Sequence, residues 1–160
     1  YDSAGVVAND RGITVWLKGN RVSRNQIMAI KEESVTDQKN SLTVCLDNIL
    51  RHAGITRNTE YDLAQGKTAI QILEENMTGV QVLDLSGCSL DAVLYYVNQD
   101  IPVLAILEDG EAVLVTGFNE FNVVIMEPST GKLYKKGMND ATTWFAENGN
   151  HFISYMKIDN

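Results

Sequence analysis

Cys45 is the first residue in the sequence that could carry covalent chemistry. It lies among apolar residues at helical spacing, in a segment that Asn40 or Ser41 can cap and that Gly54 can end. A cysteine in the first turns of a helix lies close to free N–H groups, which lower a thiol pKa and can stabilise an oxyanion. The alternative is a structural role, because Cys45 shares a face with leucines and an isoleucine and free cysteines are commonly buried. Spacing alone leaves both roles open.

A reactive thiol needs a base, and the chain contains two histidines. His52 follows Cys45 by seven residues, which places it roughly 10 Å further along the same helix. That separation is too large for the two side chains to share a proton. His151 begins the last predicted strand after an Asn-Gly-Asn turn, where we expect a solvated side chain. Neither histidine is predicted to serve Cys45.

The second cysteine, Cys88, lies between a glycine and a serine at the start of a predicted helix. A tight strand-to-helix turn explains it as well as a second reactive thiol does. Cys45, Cys88, Glu111 and His52 offer ligand atoms for a metal but lack the short spacings of zinc motifs. The glycines are dispersed and form no phosphate-binding loop. We therefore predict no metal site and no cofactor.

The elements that would position these residues change in type near residue 100. Apolar residues recur with a period near 3.6 before Asp100 and with a period near 2 after Pro102. This order predicts an α+β fold in which N-terminal helices pack on a C-terminal antiparallel sheet. The predicted helices begin at Ser23 (carrying Ile27, Met28 and Ile30), at Asn40 or Ser41, at Thr59, at Thr68, at Ser89 and at Asn139. The predicted strands are 12–17, 80–85, 103–107, 112–118, 122–126, 133–136 and 152–156.

Composition excludes several classes of function. The 160 residues fit one domain, and 44% hydrophobic residues are enough to form a core. The 13 basic and 21 acidic residues give a net charge of -8, which disfavours nucleic acid as a partner. No apolar run is long enough to insert into a membrane. Because the sequence begins at Tyr1, we expect a piece of a larger protein or a processed product. We further expect the parent to be a bacterial protein displayed at the cell surface or outside the cell.

Four sequence runs carry a family resemblance. They are CLDNILRHAG (45–54), IPVLAI (101–106), GEAVLVTGF (110–118) and NVVIMEP (122–128). In this order they resemble the papain-like cysteine peptidases that process bacteriocins with double-glycine leaders. The resemblance implies a papain-like fold for residues 23–160, preceded by a lead-in segment with a short strand at 1–22.

The resemblance also implies a set of site residues. Cys45 matches the nucleophile, and Gln38 lies near the place of an oxyanion-hole glutamine, one residue further from Cys45 than the family pattern. Glu111 stands where the family has its general-base histidine. Glu127, before Pro128, stands where the family has the aspartate or asparagine that orients the imidazole. Two of the four positions therefore depart from the family.

Glu111 is a poor substitute for an imidazole. A carboxylate with a pKa near 4.3 is a weak base toward a thiol near 8.5, and its charge disfavours a neighbouring thiolate. We therefore expect a partly buried Cys45 to remain a neutral thiol and Glu111→Gln to speed its alkylation. The expected function is an inactive peptidase-like domain that binds a peptide or protein, with the acidic turn at 108–111 favouring cationic partners. The alternatives are an active peptidase or acyltransferase with an unidentified base, and a structural spacer.

Overall fold

The computed structural model describes residues 26–27 and 40–158, which form a seven-stranded antiparallel sheet covered by helices on both faces. The helices are α1 (Ser41–His52), α2 (Glu60–Ala64), α3 (Ala69–Asn76), α4 (Leu90–Val97) and α5 (Met138–Glu147). The strands are β1 (Gln26–Ile27), β2 (Val80–Asp84), β3 (Val103–Ile106), β4 (Ala112–Phe118), β5 (Asn122–Glu127), β6 (Lys132–Gly137) and β7 (His151–Lys157).

The sheet has the strand order β2-β7-β3-β4-β5-β6, and β1 pairs with the end of β4. The segments 103–118 and 112–127 are hairpins, as their turn compositions predict. The last strand, β7, inserts between β2 and β3 and so joins the part of the chain before residue 100 to the part after it. This insertion explains why the sheet is continuous although one helix separates β2 from β3.

Alternate residues of the central strands fill two separate cores. Leu104, Leu114 and Ile153 pack with α1 and α3 on one face of the sheet. Val103 and Phe152 pack with α4 and α5 on the other face. Because successive side chains of a strand point to opposite faces, strands buried on both sides read as nearly continuous apolar runs. This two-sided burial places α1, which carries Cys45, directly against the centre of the sheet.

The predicted fold class is confirmed: helices precede a largely C-terminal antiparallel sheet, and five of the seven strands follow Pro102. The helix predicted after Ser23 is wrong at Ile27, which is paired in β1 with Gly117 of β4. A two-residue strand has no periodicity to detect, and pairing with the part of β4 beyond β3 decides its conformation. The rest of that helix, the strand at 12–17 and the lead-in segment lie outside the described residues. Among the helices described, none is long and apolar enough to cross a membrane.

Candidate active site

The helix that carries Cys45 begins four residues before it. The Asn40 side-chain oxygen accepts a hydrogen bond from the Leu42 N–H at 2.7 Å, and the Asn40 carbonyl accepts one from the Val44 N–H at 3.1 Å. These contacts make Asn40 the N-cap and Ser41 the first helical residue. Cys45 therefore lies in the second turn, beyond the free N–H groups that could lower its pKa or stabilise an oxyanion.

The thiol of Cys45 is enclosed by the core. Its side chain is 0% exposed and belongs to the apolar cluster between α1, α3 and the sheet. Burial raises the pKa of the Cys45 thiol far above its ordinary value, and the negative charge of Glu127 raises it further. The sequence placed Cys45 in partial burial with Glu111 as the opposing charge. The structure corrects both points, because this face of α1 rests on the sheet and the opposing carboxylate is Glu127.

Glu127 ends β5 and organises the turn that follows. Its Oε1 accepts a hydrogen bond from the Ser129 N–H at 2.9 Å, and its carbonyl accepts one from the Gly131 N–H at 2.7 Å. The carboxylate thus stabilises the β5–β6 turn through a backbone amide. The negative charge of the same carboxylate also raises the pKa of Cys45.

Glu111 lies in the turn between β3 and β4, with an exposed side chain. Its N–H donates to Asp109 Oδ1 at 3.0 Å, and its carbonyl accepts from the Leu107 N–H at 2.8 Å. The next residue, Ala112, donates its N–H to Ser41 Oγ at 2.9 Å. Ser41 therefore fixes the first turn of α1 beside Glu111.

Sequence reasoning treated Ser41 as a possible helix cap and did not detect this contact. The hydrogen bond joins residues 71 positions apart, and no local pattern encodes it. The one available signal is Asn40, a strong N-cap residue that already starts the helix at Ser41. With either cap Cys45 lies beyond the first turn, and the Asn40 cap makes it the fifth helical residue.

Both imidazoles are engaged elsewhere. His52 Nε2 lies 3.0 Å from the Asp100 carbonyl oxygen and 3.6 Å from Asp100 Oδ2, at the C-terminal end of α1. His151 Nε2 lies 3.5 Å from Glu108 Oε2 at the start of β7. These contacts agree with the expectation that neither histidine serves Cys45.

The remaining sequence candidates contribute little to this site. Cys88 is partly buried against the second core and, like Cys45, is a free cysteine. Across residues 26–27 and 40–158, no group of three or more His, Cys, Asp or Glu side chains is placed to hold a metal ion. Gln38 lies outside the described residues.

Comparison with known proteins places this arrangement in a structural class. A crystal structure from Bacillus anthracis, described as a candidate C39-like peptidase, superposes with a TM-score of 0.67 over 84% of this chain and 98% of its own. The chain has a C39-like peptidase fold. At 14% sequence identity the likeness concerns the fold alone. No protein family and no curated protein matches the sequence. The C39-like fold agrees with the papain-like arrangement that the four sequence runs imply.

Proposed function

We propose that this peptidase-like domain binds a cationic peptide or protein without hydrolysing it. The observation that carries the proposal is the complete burial of Cys45. A nucleophile must reach the carbonyl carbon of its substrate, and a side chain with no exposed surface cannot do so in the native state. Burial also keeps the thiol protonated, because transfer of a thiolate into an apolar core is unfavourable.

Within the described part of the chain, no histidine is placed to remove the proton of Cys45. The negative charge of Glu127 acts on the thiol and disfavours the thiolate. The two histidines contact Asp100 and Glu108 instead. General-base catalysis needs a base within hydrogen-bond reach of the proton, directly or through one water. These contacts support an inactive domain.

The surface near the first turn of α1 is acidic. Glu108, Asp109 and Glu111 are exposed on the β3–β4 turn, beside the contact between Ser41 and Ala112. A rim of one charge attracts partners of the opposite charge and raises their association rate. This charge supports a cationic partner.

The proposal is tested by binding to a library of short cationic peptides, measured by isothermal titration or fluorescence anisotropy at low salt. The test variant combines Glu108→Gln, Asp109→Asn and Glu111→Gln. The matched control neutralises the same number of exposed carboxylates elsewhere, at Glu60, Glu74 and Glu120. Each lost surface charge is worth roughly 0.2 to 1 kcal/mol, so about a tenfold loss of affinity is expected for the test variant alone.

Three results would contradict the proposal. Equal affinity loss in both variants would show that net charge, rather than the β3–β4 turn, governs binding. If no peptide of the library binds the domain and a pull-down captures no protein partner, the structural-spacer alternative is favoured. Cysteine-dependent cleavage of the library would favour the active peptidase.

A further inference from the structure

The contact between α1 and β4 identifies which side chain of the helix stands next to residue 111. Ser41 Oγ lies 2.9 Å from the Ala112 nitrogen. The Cα atom of the preceding residue is about 2.4 Å from that nitrogen by standard peptide geometry, so Glu111 Cα is within about 5.3 Å of Ser41 Oγ. The backbone at position 111 therefore lies within one side-chain length of the hydroxyl of Ser41.

Cys45 has the same orientation on α1 but lies deeper. Residues four apart share a helix face, and the rise of 1.5 Å per residue separates Ser41 and Cys45 by about 6 Å along the axis. Ser41 is partly exposed, whereas Cys45 is enclosed between the helix and the sheet. Helical periodicity alone cannot tell Ser41 from Cys45. The two are distinguished by the start of the helix at Ser41 and by the hydrogen bond from Ala112 to Ser41.

We propose that Ser41, rather than Cys45, occupies the position on α1 that can exchange a proton with residue 111. The site then carries a hydroxyl and a carboxylate in place of a thiol and an imidazole. A serine hydroxyl is a weak nucleophile without a neighbouring base, and a carboxylate is too weak a base to activate it. The inference rests on the proposed function only in that it takes the first turn of α1 as part of the functional site.

The inference predicts that thiol reactivity can be introduced at position 41 and controlled from position 111. The experiment compares Ser41→Cys/Glu111→His with the matched control Ser41→Cys/Glu111→Gln, using iodoacetamide between pH 5 and 10. In the reaction the new sulfur–carbon bond forms as iodide leaves, and the thiol proton passes to the imidazole. Peptide mass spectrometry measures each cysteine separately.

A nearby imidazolium lowers a thiol pKa, but a less basic thiolate is also a weaker nucleophile. We therefore expect the midpoint of the pH–rate profile of the introduced thiol to fall by at least about one unit with Glu111→His. At pH 6.5 labelling should be about threefold faster than in the glutamine control, because the roughly tenfold larger thiolate fraction outweighs the loss of nucleophilicity. Native Cys45 should stay unlabelled in both variants.

The same measurement shows whether a variant is folded, because Cys45 becomes reactive only when the core opens. If the histidine variant fails to fold, Ser41→Cys alone is compared with Ser41→Cys/Glu111→Gln. Removal of the carboxylate should then lower the midpoint at position 41. In variants whose circular dichroism matches that of the unmodified protein, a midpoint at position 41 that does not respond to position 111, or a rise in Cys45 labelling with Glu111→His, would overturn the inference. The proposed function fails separately, through peptide cleavage by the unmodified protein.

Discussion

Alkylation of native Cys45 measures how completely the core shields the thiol. The structure gives Cys45 no exposed surface and a pKa raised first by burial and second by Glu127. Glu127→Gln removes the smaller contribution, and the glutamine carbonyl can still accept the Ser129 N–H. Because burial remains, we expect this substitution to leave Cys45 labelling slow. We expect the same of Glu111→Gln, in contrast to the expectation from the sequence.

The size of the protection follows from the opening equilibrium. An exposed thiol with a pKa near 8.5 is about 3% thiolate at pH 7 and reacts at the model rate. Cys45 can react only from a state in which the core around α1 has opened. If that opening costs about 5 kcal/mol, near the lower limit of domain stabilities, labelling is slowed about 10³- to 10⁴-fold.

The assay is iodoacetamide labelling at pH 7 and 25 °C, with quenched samples analysed by peptide mass spectrometry. Cys88 is partly buried and serves as the internal comparison. Urea above the unfolding midpoint should bring both cysteines to the model rate. Native labelling of Cys45 within tenfold of a model thiol would refute the reasoning, because it would require a solvent path or a stabilised thiolate at that position.

Three other substitutions test the supporting structure. Asp47→Ala should lower the free energy of unfolding by about 2 to 3 kcal/mol in urea titrations. The reason is that the buried carboxylate accepts hydrogen bonds from the Thr59 N–H at 2.8 Å and from the Thr59 hydroxyl at 2.9 Å. An unchanged urea midpoint would contradict this role. Asn40→Ala should cost about 1 kcal/mol by removing the N-cap of α1, while Asn40→Asp should retain most of it. Hydrogen bonds from Ser86 lower the pKa of Asp84. The contribution of Asp84 to the free energy of unfolding is therefore present above its unfolded pKa and lost as pH falls through its folded pKa. Asp84→Asn should reduce the fall in stability between pH 5 and 2, and an unaltered pH profile would contradict this role.

Most of the secondary structure follows from the sequence because local signals agree with tertiary packing. Ser89 caps α4 by accepting the Ala92 N–H, and Thr68 forms a capping box with Gln71 at the start of α3. The strand-sized apolar runs after Pro102 indicate β3, β4, β5 and β7, and these runs are nearly continuous because both faces of the strands are buried. The caps depend on contacts within a few residues, and the strands show their burial in their composition, so the sequence displays both directly.

The site could be predicted only in part, because its geometry depends on contacts between distant segments. The run around Cys45 indicates a helix, but its first residue is decided by Asn40 and by the Ser41 contact with Ala112. A shift of one helical turn separates a surface thiol from a buried one. The electrostatic effect of Glu127 on Cys45 likewise arises from the packing of α1 on the sheet. Periodicity does not encode either distance.

Peptide cleavage by the unmodified domain tests the central claim most directly. Purified protein and its Cys45→Ala variant are incubated with a diverse peptide library under reducing conditions, and products are identified by mass spectrometry. The account predicts no cleavage above the buffer background and identical product lists for the two proteins. Cleavage by the unmodified protein that disappears in Cys45→Ala, with both proteins folded, would contradict it.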